Sequence, residues 1–260
     1  MTPPRNVFIT GASSGIGAAL AREYAARGAT LGLVARRREA LEKLAASLPG
    51  AHHLYAVDVT ATDALIAAAR AFDQACGGTD IVIANAGISV GVLSEFYEDL
   101  ATFREVLEIN LLAMAATFHP FIAPMRARGK GQLVGIGSTS GIRGLPGSEA
   151  YCASKAAVIS YLESLRVELA RDGIRVQTIC PGFVRTPLTA KNPYPMPFVI
   201  DPDDFARRAV AAIARGTSYA VVPWPAAVLA KLLRVLPNWA FDRLFANRPY
   251  KPRKAQSAAD

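Results

Sequence analysis

The stretch Val7-Phe8-Ile9-Thr10-Gly11-Ala12-Ser13-Ser14-Gly15-Ile16-Gly17 decides the fold that this chain predicts. A short apolar run leads into three glycines, and apolar residues at helical spacing follow through Tyr24, so we expect a strand, a glycine turn and a helix. Glycines let the backbone turn tightly and approach a ligand closely, and the start of a helix favours a pyrophosphate. The spacing is G-x-x-x-G-x-G, and taken alone it is equally compatible with a plain turn.

Strand and helix patterns then alternate along the chain as far as residue 222. The further predicted strands are 30–35, 54–58, 80–84, 132–137, 174–179 and 219–222. Such alternation with short links predicts a parallel sheet that carries helices on both faces. We therefore expect one α/β domain over residues 1–222.

Composition narrows the class of protein. The chain has 260 residues, 52% of them hydrophobic and 19% charged, which favours one large folded domain. A net charge of +8 fits nucleic acid, an anionic membrane or an anionic ligand such as a phosphorylated cofactor. Aromatic and basic residues do not interleave as in single-strand nucleic-acid binders, so we expect no nucleic-acid partner. Three scattered cysteines predict reduced thiols and no metal site, and the lack of an apolar signal region predicts a cytoplasmic protein.

Three arginines, Arg36 to Arg38, follow the second predicted strand. In dinucleotide sites an acidic residue at this place binds the ribose 2′-hydroxyl, whereas a basic residue suits a 2′-phosphate. Arginines at a helix N-terminus oppose the helix dipole, which a bound anion would offset. We therefore expect NADP(H), held by Arg36 with help from Arg37 and Ser13; the alternative is a solvated helix start.

Two further stretches carry polar groups suited to chemistry. Tyr151 and Lys155 lie four residues apart in a predicted helix and would project from the same face. Because a nearby cation favours the ionised phenol, the pair predicts proton transfer, although a surface lysine beside a half-buried tyrosine gives the same pattern. Asn110 lies in the apolar middle of a predicted helix over 100–128, so it is either a structural clamp or part of a polar site.

The remainder of the chain divides into three segments. Residues 183–200 carry four prolines and predict a long loop that acts as a lid over the substrate. Residues 223–247 mix apolar and basic side chains between Trp224 and Trp239, which predicts two amphipathic helices that pack on the domain or a partner subunit, or lie on a membrane surface. Residues 248–260 predict a disordered basic tail.

In combination, these motifs resemble the short-chain dehydrogenase/reductase family over roughly Asn6 to Val222. The matching features are Thr10-Gly11-x-x-x-Gly15-x-Gly17, Asn85-Ala86-Gly87, Asn110, Ser138 thirteen residues before Tyr151, Lys155, and Pro181-Gly182 followed by Thr186. The resemblance implies a Rossmann-type fold. With the patterns above, we expect a single doubly wound α/β domain with a seven-stranded parallel sheet and extra C-terminal amphipathic helices. The resemblance also implies that NAD(P) binds along the carboxyl edge of the sheet.

The resemblance further implies a role for individual residues. Tyr151 would be the general acid–base, Lys155 would lower its pKa and bind the nicotinamide ribose, and Ser138 would hold the substrate oxygen. Asn110 would position a water in a proton relay. The residues expected to bind the cofactor are Gly11, Ser13, Ser14, Gly15, Ile16, Gly17, Arg36, Arg37, Asp58, Val59, Asn85, Ala86, Gly87, Tyr151, Lys155, Pro181, Gly182, Val184 and Thr186.

The predicted function is that of an NADP(H)-dependent oxidoreductase that interconverts a carbonyl and a secondary alcohol. The apolar side chains of 183–200 and of the C-terminal helices favour an apolar or lipid-like substrate. The alternatives are an NADP(H)-binding redox sensor, an interaction protein that meets the inner membrane surface through 224–247, and isomerase or dehydratase chemistry on the same fold. The resemblance implies a homodimer or homotetramer formed by the helices around Asn110 and Tyr151.

Overall fold

A computed structural model describes residues 5–254 of the chain. Its strands are β1 (Asn6–Thr10), β2 (Thr30–Ala35), β3 (His53–Ala56), β4 (Ile81–Ala84), β5 (Gly131–Ile136), β6 (Ile174–Pro181) and β7 (Tyr219–Val222). The α-helices within the described residues are α1 (Gly15–Ala25), α2 (Arg38–Ala46), α3 (Thr62–Ala75), α4 (Asp99–Leu107), α5 (Ala113–Arg128), α6 (Glu149–Leu169), α7 (Pro202–Arg215), α8 (Trp224–Val235) and α9 (Asn238–Phe245).

The seven strands form one parallel sheet in the order β3-β2-β1-β4-β5-β6-β7. Strand β1 lies inside the sheet. From it the chain proceeds outward through β2 to β3, and then returns to add β4 on the other side of β1. This reversal of strand order places a crevice at the carboxyl ends of β1 and β4, where doubly wound sheets bind ligands. The predicted Rossmann-type fold with seven parallel strands is confirmed.

Side chains on the two faces of the central strand, β1, pack into two separate hydrophobic cores. Val7 and Ile9 of β1 point to the face that packs with α1 and α7, whereas Phe8 points to the face that packs with α3 and α5. All three side chains are fully buried. The apolar run at the start of the sequence therefore anchors both helical layers, which explains why a strand without a polar face forms there.

The longest helical stretch is Asp99–Arg128, in which a π-helical segment, Glu108–Leu112, joins α4 to α5. By length and composition alone it could cross a membrane, but half of its most apolar part is buried inside the domain. Phe118 and Phe121 are fully buried in the core below β1. The stretch is thus a core helix, and the sequence did not reveal its π segment.

The predicted C-terminal helices are present as α8 and α9, separated near Pro237. Arg143 fixes both of them to the domain. Its guanidinium donates hydrogen bonds to the carbonyl oxygens of Leu233 and Leu236 and to Oδ1 of Asn238, and it stacks 3.9 Å from the ring centre of Phe241.

The prediction of a disordered basic tail is wrong for residues 248–254; residues 255–260 lie outside the described part of the chain. Lys251 and Arg253 are buried, and Nε of Arg253 donates a 2.7 Å hydrogen bond to Asp99. The run of charges suggested solvation because the carboxylate that pairs with it lies 154 positions earlier in the chain.

Candidate active site

A cavity of about 480 Å³ opens at the carboxyl ends of β1 to β6. Nearly all of the residues predicted to bind cofactor or substrate line it. They are Gly11, Ser13, Ser14, Gly15, Ile16, Arg36, Arg37, Asp58, Val59, Asn85, Ala86, Gly87, Ser138, Tyr151, Lys155, Pro181, Gly182, Val184 and Thr186. Gly17 and Asn110 do not line this cavity and lie behind it.

The turn between β1 and α1 requires glycines, because side chains at these positions would collide with neighbouring backbone atoms. Gly11 has φ +65°, and a Cβ there would lie 2.8 Å from Cα of Ala86. A Cβ on Gly17 would overlap the carbonyl oxygen of Gly11. Nδ2 of Asn85 donates to the carbonyl oxygens of Thr10 and Gly11, at 3.0 and 3.2 Å. Asn85 and Gly17 therefore shape the turn.

This turn leaves the start of α1 free to receive an anion. The helix begins at Gly15, and its first turn contains no acidic side chain. The first N–H groups of a helix have no partner within it, and residues 13–16 line the cavity, so these groups would suit a pyrophosphate there. Gly15, at φ +54°, faces Thr186 across the cavity rim. The residues present fit a dinucleotide phosphate.

The arginines after β2 lie at the far end of the same cavity. Arg36 is exposed, and its guanidinium lies 3.9 Å from Oδ2 of Asp58. Asp58 in turn accepts hydrogen bonds from the backbone N–H and the hydroxyl of Thr60, and these contacts together with Arg36 lower its pKa. Arg37 directly precedes α2, and its side chain makes no capping hydrogen bond to the helix. Two cations and one ionised carboxylate therefore border this end.

Helix α6 brings Tyr151 and Lys155 to the cavity one turn apart. Nζ of Lys155 donates a 2.8 Å hydrogen bond to the carbonyl oxygen of Ile136 and lies 6.0 Å from the ring centre of Tyr151. Lys155 is 4% exposed, and this burial lowers its pKa to about 8. The hydrogen bond to the carbonyl oxygen of β5 therefore fixes the ammonium of Lys155 near the ring of Tyr151.

Ser138 enters the cavity directly after β5, and its Oγ accepts a 3.1 Å hydrogen bond from the N–H of Ser140. Burial raises the pKa of Tyr151 to about 12, and a hydrogen bond with Ser138 acts in the opposite direction. Burial therefore has the larger effect on the phenol. The lowering of this pKa by Lys155 stays a prediction.

Asn110 is fully buried in the π segment behind the cavity. Its Oδ1 accepts a 2.8 Å hydrogen bond from the N–H of Ile88, and its Nδ2 donates to the carbonyl oxygen of Ile88 at 3.0 Å and to Oγ of Ser154 at 2.9 Å. Asn110 thus joins the π segment to the loop after β4 and to α6. This is the clamp that its apolar surroundings suggested, and its role in a water relay stays a prediction.

Several cavity residues were not among the predicted site residues. They are Leu145 and Ser148 before α6, Ser89 after β4, Phe183, Leu188, Asn192 and Tyr194 of the 183–200 loop, and Arg248 and Lys251 of the C-terminal segment. The loop was predicted to cover the substrate, but the C-terminal pair carried no sequence signal beyond its charge. Within residues 5–254, no three His, Cys, Asp or Glu side chains are grouped to hold a metal ion.

A doubly wound sheet with a glycine turn and a serine, a tyrosine and a lysine at its carboxyl edge defines a Rossmann-type oxidoreductase. A family model described as short chain dehydrogenase matches residues 5–195, and the chain belongs to that family.

Relatives and solved structures support this membership. An uncharacterised oxidoreductase of Myxococcus xanthus is 39% identical and covers 92% of this chain and 95% of its own length. A short-chain dehydrogenase of Streptomyces avermitilis has a TM-score of 0.78 at 28% identity and covers 93% of both chains. The short-chain dehydrogenase of Sphingobium yanoikuyae in complex with NADPH has a TM-score of 0.75 at 29% identity, over 90% of this chain and 97% of its own.

Proposed function

We propose that this protein is an NADP(H)-dependent oxidoreductase that interconverts a carbonyl and a secondary alcohol. The observation that carries the proposal is that Ser138, Tyr151 and Lys155 line the same cavity as the phosphate-compatible turn at Gly11 to Gly17. A metagenomic short-chain oxidoreductase solved in complex with NADP, 30% identical with a TM-score of 0.71, supports the choice of cofactor.

The residues at the carboxyl edge divide the proton chemistry among them. When bound, the cofactor supplies or accepts the hydride. In the reductive direction the Tyr151 hydroxyl gives its proton to the substrate oxygen, and Ser138 donates a hydrogen bond to the same oxygen. The buried ammonium of Lys155 supplies positive charge that stabilises the tyrosinate left behind. The high pKa of the free phenol favours the protonated form that this direction needs.

The preference for NADP(H) rests on the basic end of the cavity. Arg36 and Arg37 both line it, and the guanidinium of Arg36 is exposed, so it can turn toward a 2′-phosphate. Asp58 competes for that guanidinium at 3.9 Å, which is a loose pairing that a phosphate dianion would displace.

The apolar or lipid-like character of the substrate rests on the walls near Tyr151. Leu145, Phe183, Leu188 and Tyr194 contribute apolar surface there. Three of these four belong to the 183–200 loop, in keeping with its proposed role as a lid.

The test is NADPH oxidation with ketones and 3-oxoacyl esters of increasing chain length. Tyr151→Phe should lower turnover by at least 100-fold because the proton donor is lost, while NADPH affinity stays unchanged. Tyr97→Phe, at a tyrosine that is 86% exposed, is the matched control and should behave as the wild type. Retention of most activity by Tyr151→Phe would contradict the assignment. NADPH binding without Tyr151-dependent turnover on any substrate would favour the redox sensor.

We also propose that the protein sits in the cytoplasm and meets the inner membrane surface through α8 and α9. Trp224 and Trp239 are more than 70% exposed, and exposed Leu232, Val235 and Leu244 accompany them. Lys231, Arg234 and Arg243 of the same helices would attract anionic lipid. Co-sedimentation with anionic vesicles should fall for Trp224→Ser with Trp239→Ser; no binding by the wild type would contradict the proposal.

We further propose that the protein self-associates through α4 to α6 as a homodimer or homotetramer. Leu112 and Val167 are 53% and 68% exposed on these helices. Sedimentation equilibrium should give a dimer or tetramer, and Val167→Glu should shift it to monomer.

A further inference from the structure

The C-terminal segment 248–254 forms part of the cavity wall and is seated by two glycines. Gly91 contacts the segment directly. Its N–H donates to the carbonyl oxygen of Pro252 at 3.1 Å, and a Cβ on Gly91 would overlap the carbonyl oxygen of Lys251. Similarly, a Cβ on Gly147 would lie 2.7 Å from Cβ of Tyr250. The two glycines therefore let the backbone of this segment approach the body of the domain closely.

Arg253 anchors the segment beyond the cavity. Its guanidinium donates to both carboxylate oxygens of Asp99, at 2.7 and 3.1 Å, and to Glu98 at 2.9 Å. It also stacks 3.4 Å from the ring centre of Phe96. Asp99 has a lowered pKa because of this contact and is 2% exposed. A buried bidentate pair of this kind holds the residues before it in a fixed place.

Lys251 is the buried cation that this anchor presents to the cavity. It is 7% exposed, and its Nζ donates to Oγ of Ser89 at 3.1 Å and to the carbonyl oxygen of Leu188 at 3.0 Å. Both partners are neutral, and one of its three N–H donors has no acceptor among residues 5–254. An ammonium is rarely buried without a counter-ion, and burial lowers the pKa of this one to about 8.

Arg248 brings a second positive charge to the same wall. Its guanidinium stacks 4.2 Å from the ring centre of Tyr194 and 5.2 Å from that of Phe245. Neither Arg248 nor Lys251 has a carboxylate within ion-pair distance in the described part of the chain. Asp58 is the single acidic residue among the described cavity residues, and it faces Arg36 at the opposite end.

We infer that Lys251 and Arg248 form an anion subsite for the substrate, which therefore carries a carboxylate in addition to its reacting carbonyl. The inference rests on the proposed function and narrows its substrate class to oxo acids with an apolar chain. Ammonium and guanidinium groups both donate charge-assisted hydrogen bonds to carboxylates, so the remaining N–H of Lys251 and the guanidinium of Arg248 are suitable donors for one. The cofactor phosphates are proposed to bind at the turn from Gly11 to Gly17. Lys251 and Arg248 are therefore available to bind the substrate.

The test measures binding directly and needs no turnover. Calorimetry compares decanoate with decanamide, which has the same chain without the charge, added to protein saturated with NADP⁺. Decanoate should bind at least tenfold more tightly to the wild type, and the difference should shrink with added salt. Equal affinity for the two ligands would overturn the inference even without any variant.

Two lysines three residues apart provide matched variants. Lys251→Met should abolish the preference for decanoate, whereas Lys254→Met should retain it because that lysine is 60% exposed and pairs with Glu105. NADPH affinity should stay within threefold in both variants. A tenfold loss of NADPH affinity in Lys251→Met would assign the lysine to the cofactor and overturn the inference.

Kinetics with oxo acids and their methyl esters separates this inference from the proposed function. In the wild type, kcat/KM should favour the acid through KM, and Lys251→Met should remove that advantage. Turnover of acids and esters with equal efficiency would refute the subsite and leave the oxidoreductase intact. Decanoate binding without turnover of any ketone would leave the subsite intact and refute the oxidoreductase.

Discussion

Replacing Asn110 by alanine tests whether the buried clamp holds the site together. The side chain makes three hydrogen bonds at 2.8, 2.9 and 3.0 Å, to both backbone groups of Ile88 and to the hydroxyl of Ser154. Asn110→Ala removes all three and opens a gap in the π segment, because Asn110 is fully buried.

The magnitude follows from the groups left without a partner. A buried polar group that loses its partner costs about 1–3 kcal/mol. Water can reach the half-buried Ile88, and the buried Ser154 hydroxyl keeps its 2.8 Å hydrogen bond to the carbonyl oxygen of Tyr151, so all three groups should fall at the low end of that range. The total is a loss of about 3 kcal/mol in the free energy of unfolding, a large fraction of the roughly 5–15 kcal/mol of a typical domain.

Urea denaturation followed by far-ultraviolet circular dichroism measures this loss. Asn247→Ala, at an exposed asparagine after α9, is the matched control and should stay within about 0.5 kcal/mol of the wild type. Ser154→Ala and the double variant complete a cycle, in which Asn110 and Ser154 should be coupled by about 1 kcal/mol because they are in contact. A change below about 0.5 kcal/mol for Asn110→Ala, or an additive cycle, would refute the clamp.

Three further predictions concern the cofactor and the buried lysine. Gly17→Ala should destabilise the protein by about 1–3 kcal/mol and weaken NADPH, because the new methyl group would overlap a backbone carbonyl oxygen, whereas Gly144→Ala, with open space around it, should be neutral in both assays. Arg36→Glu should weaken NADPH by more than tenfold and NADH by less than threefold in fluorescence titrations; equal effects would exclude a 2′-phosphate contact. The lowered pKa of Lys251 means that its ammonium opposes folding below about pH 8 and that this penalty fades as the pH rises toward 10.5. Lys251→Met should therefore gain stability over the wild type at pH 7 and lose that advantage progressively as the pH rises from about 8 toward 10.5, and a pH-independent difference in urea unfolding would contradict the shift.

Local patterns accounted for the sheet and for much of the cavity. Val7 to Gly17 predicted a strand, turn and helix because apolar spacing and glycine conformation are properties of neighbouring residues. Tyr151 and Lys155 were paired correctly because four residues make about one turn of a helix. The parallel sheet then brought the ends of six strands together, so residues predicted separately came to line one cavity.

Contacts between distant parts of the chain were beyond the reach of such patterns. The sequence left Asn110 as a clamp or a site residue; its hydrogen bonds to Ile88 and Ser154, 22 and 44 positions away, show the clamp, and its role in the site stays a prediction. Residues 248–254 have the composition of a solvated tail. Whether a charge is solvated or buried depends on the partner that the fold brings to it, because burial is stable only when a counter-charge or hydrogen bonds replace water. For Arg253 the fold provides Asp99, and for Lys251 it provides only neutral groups beside the cavity. The sequence alone thus predicted the fold and most of the residues that line the cavity, whereas tertiary packing decided which charges of the C-terminal segment are buried beside it.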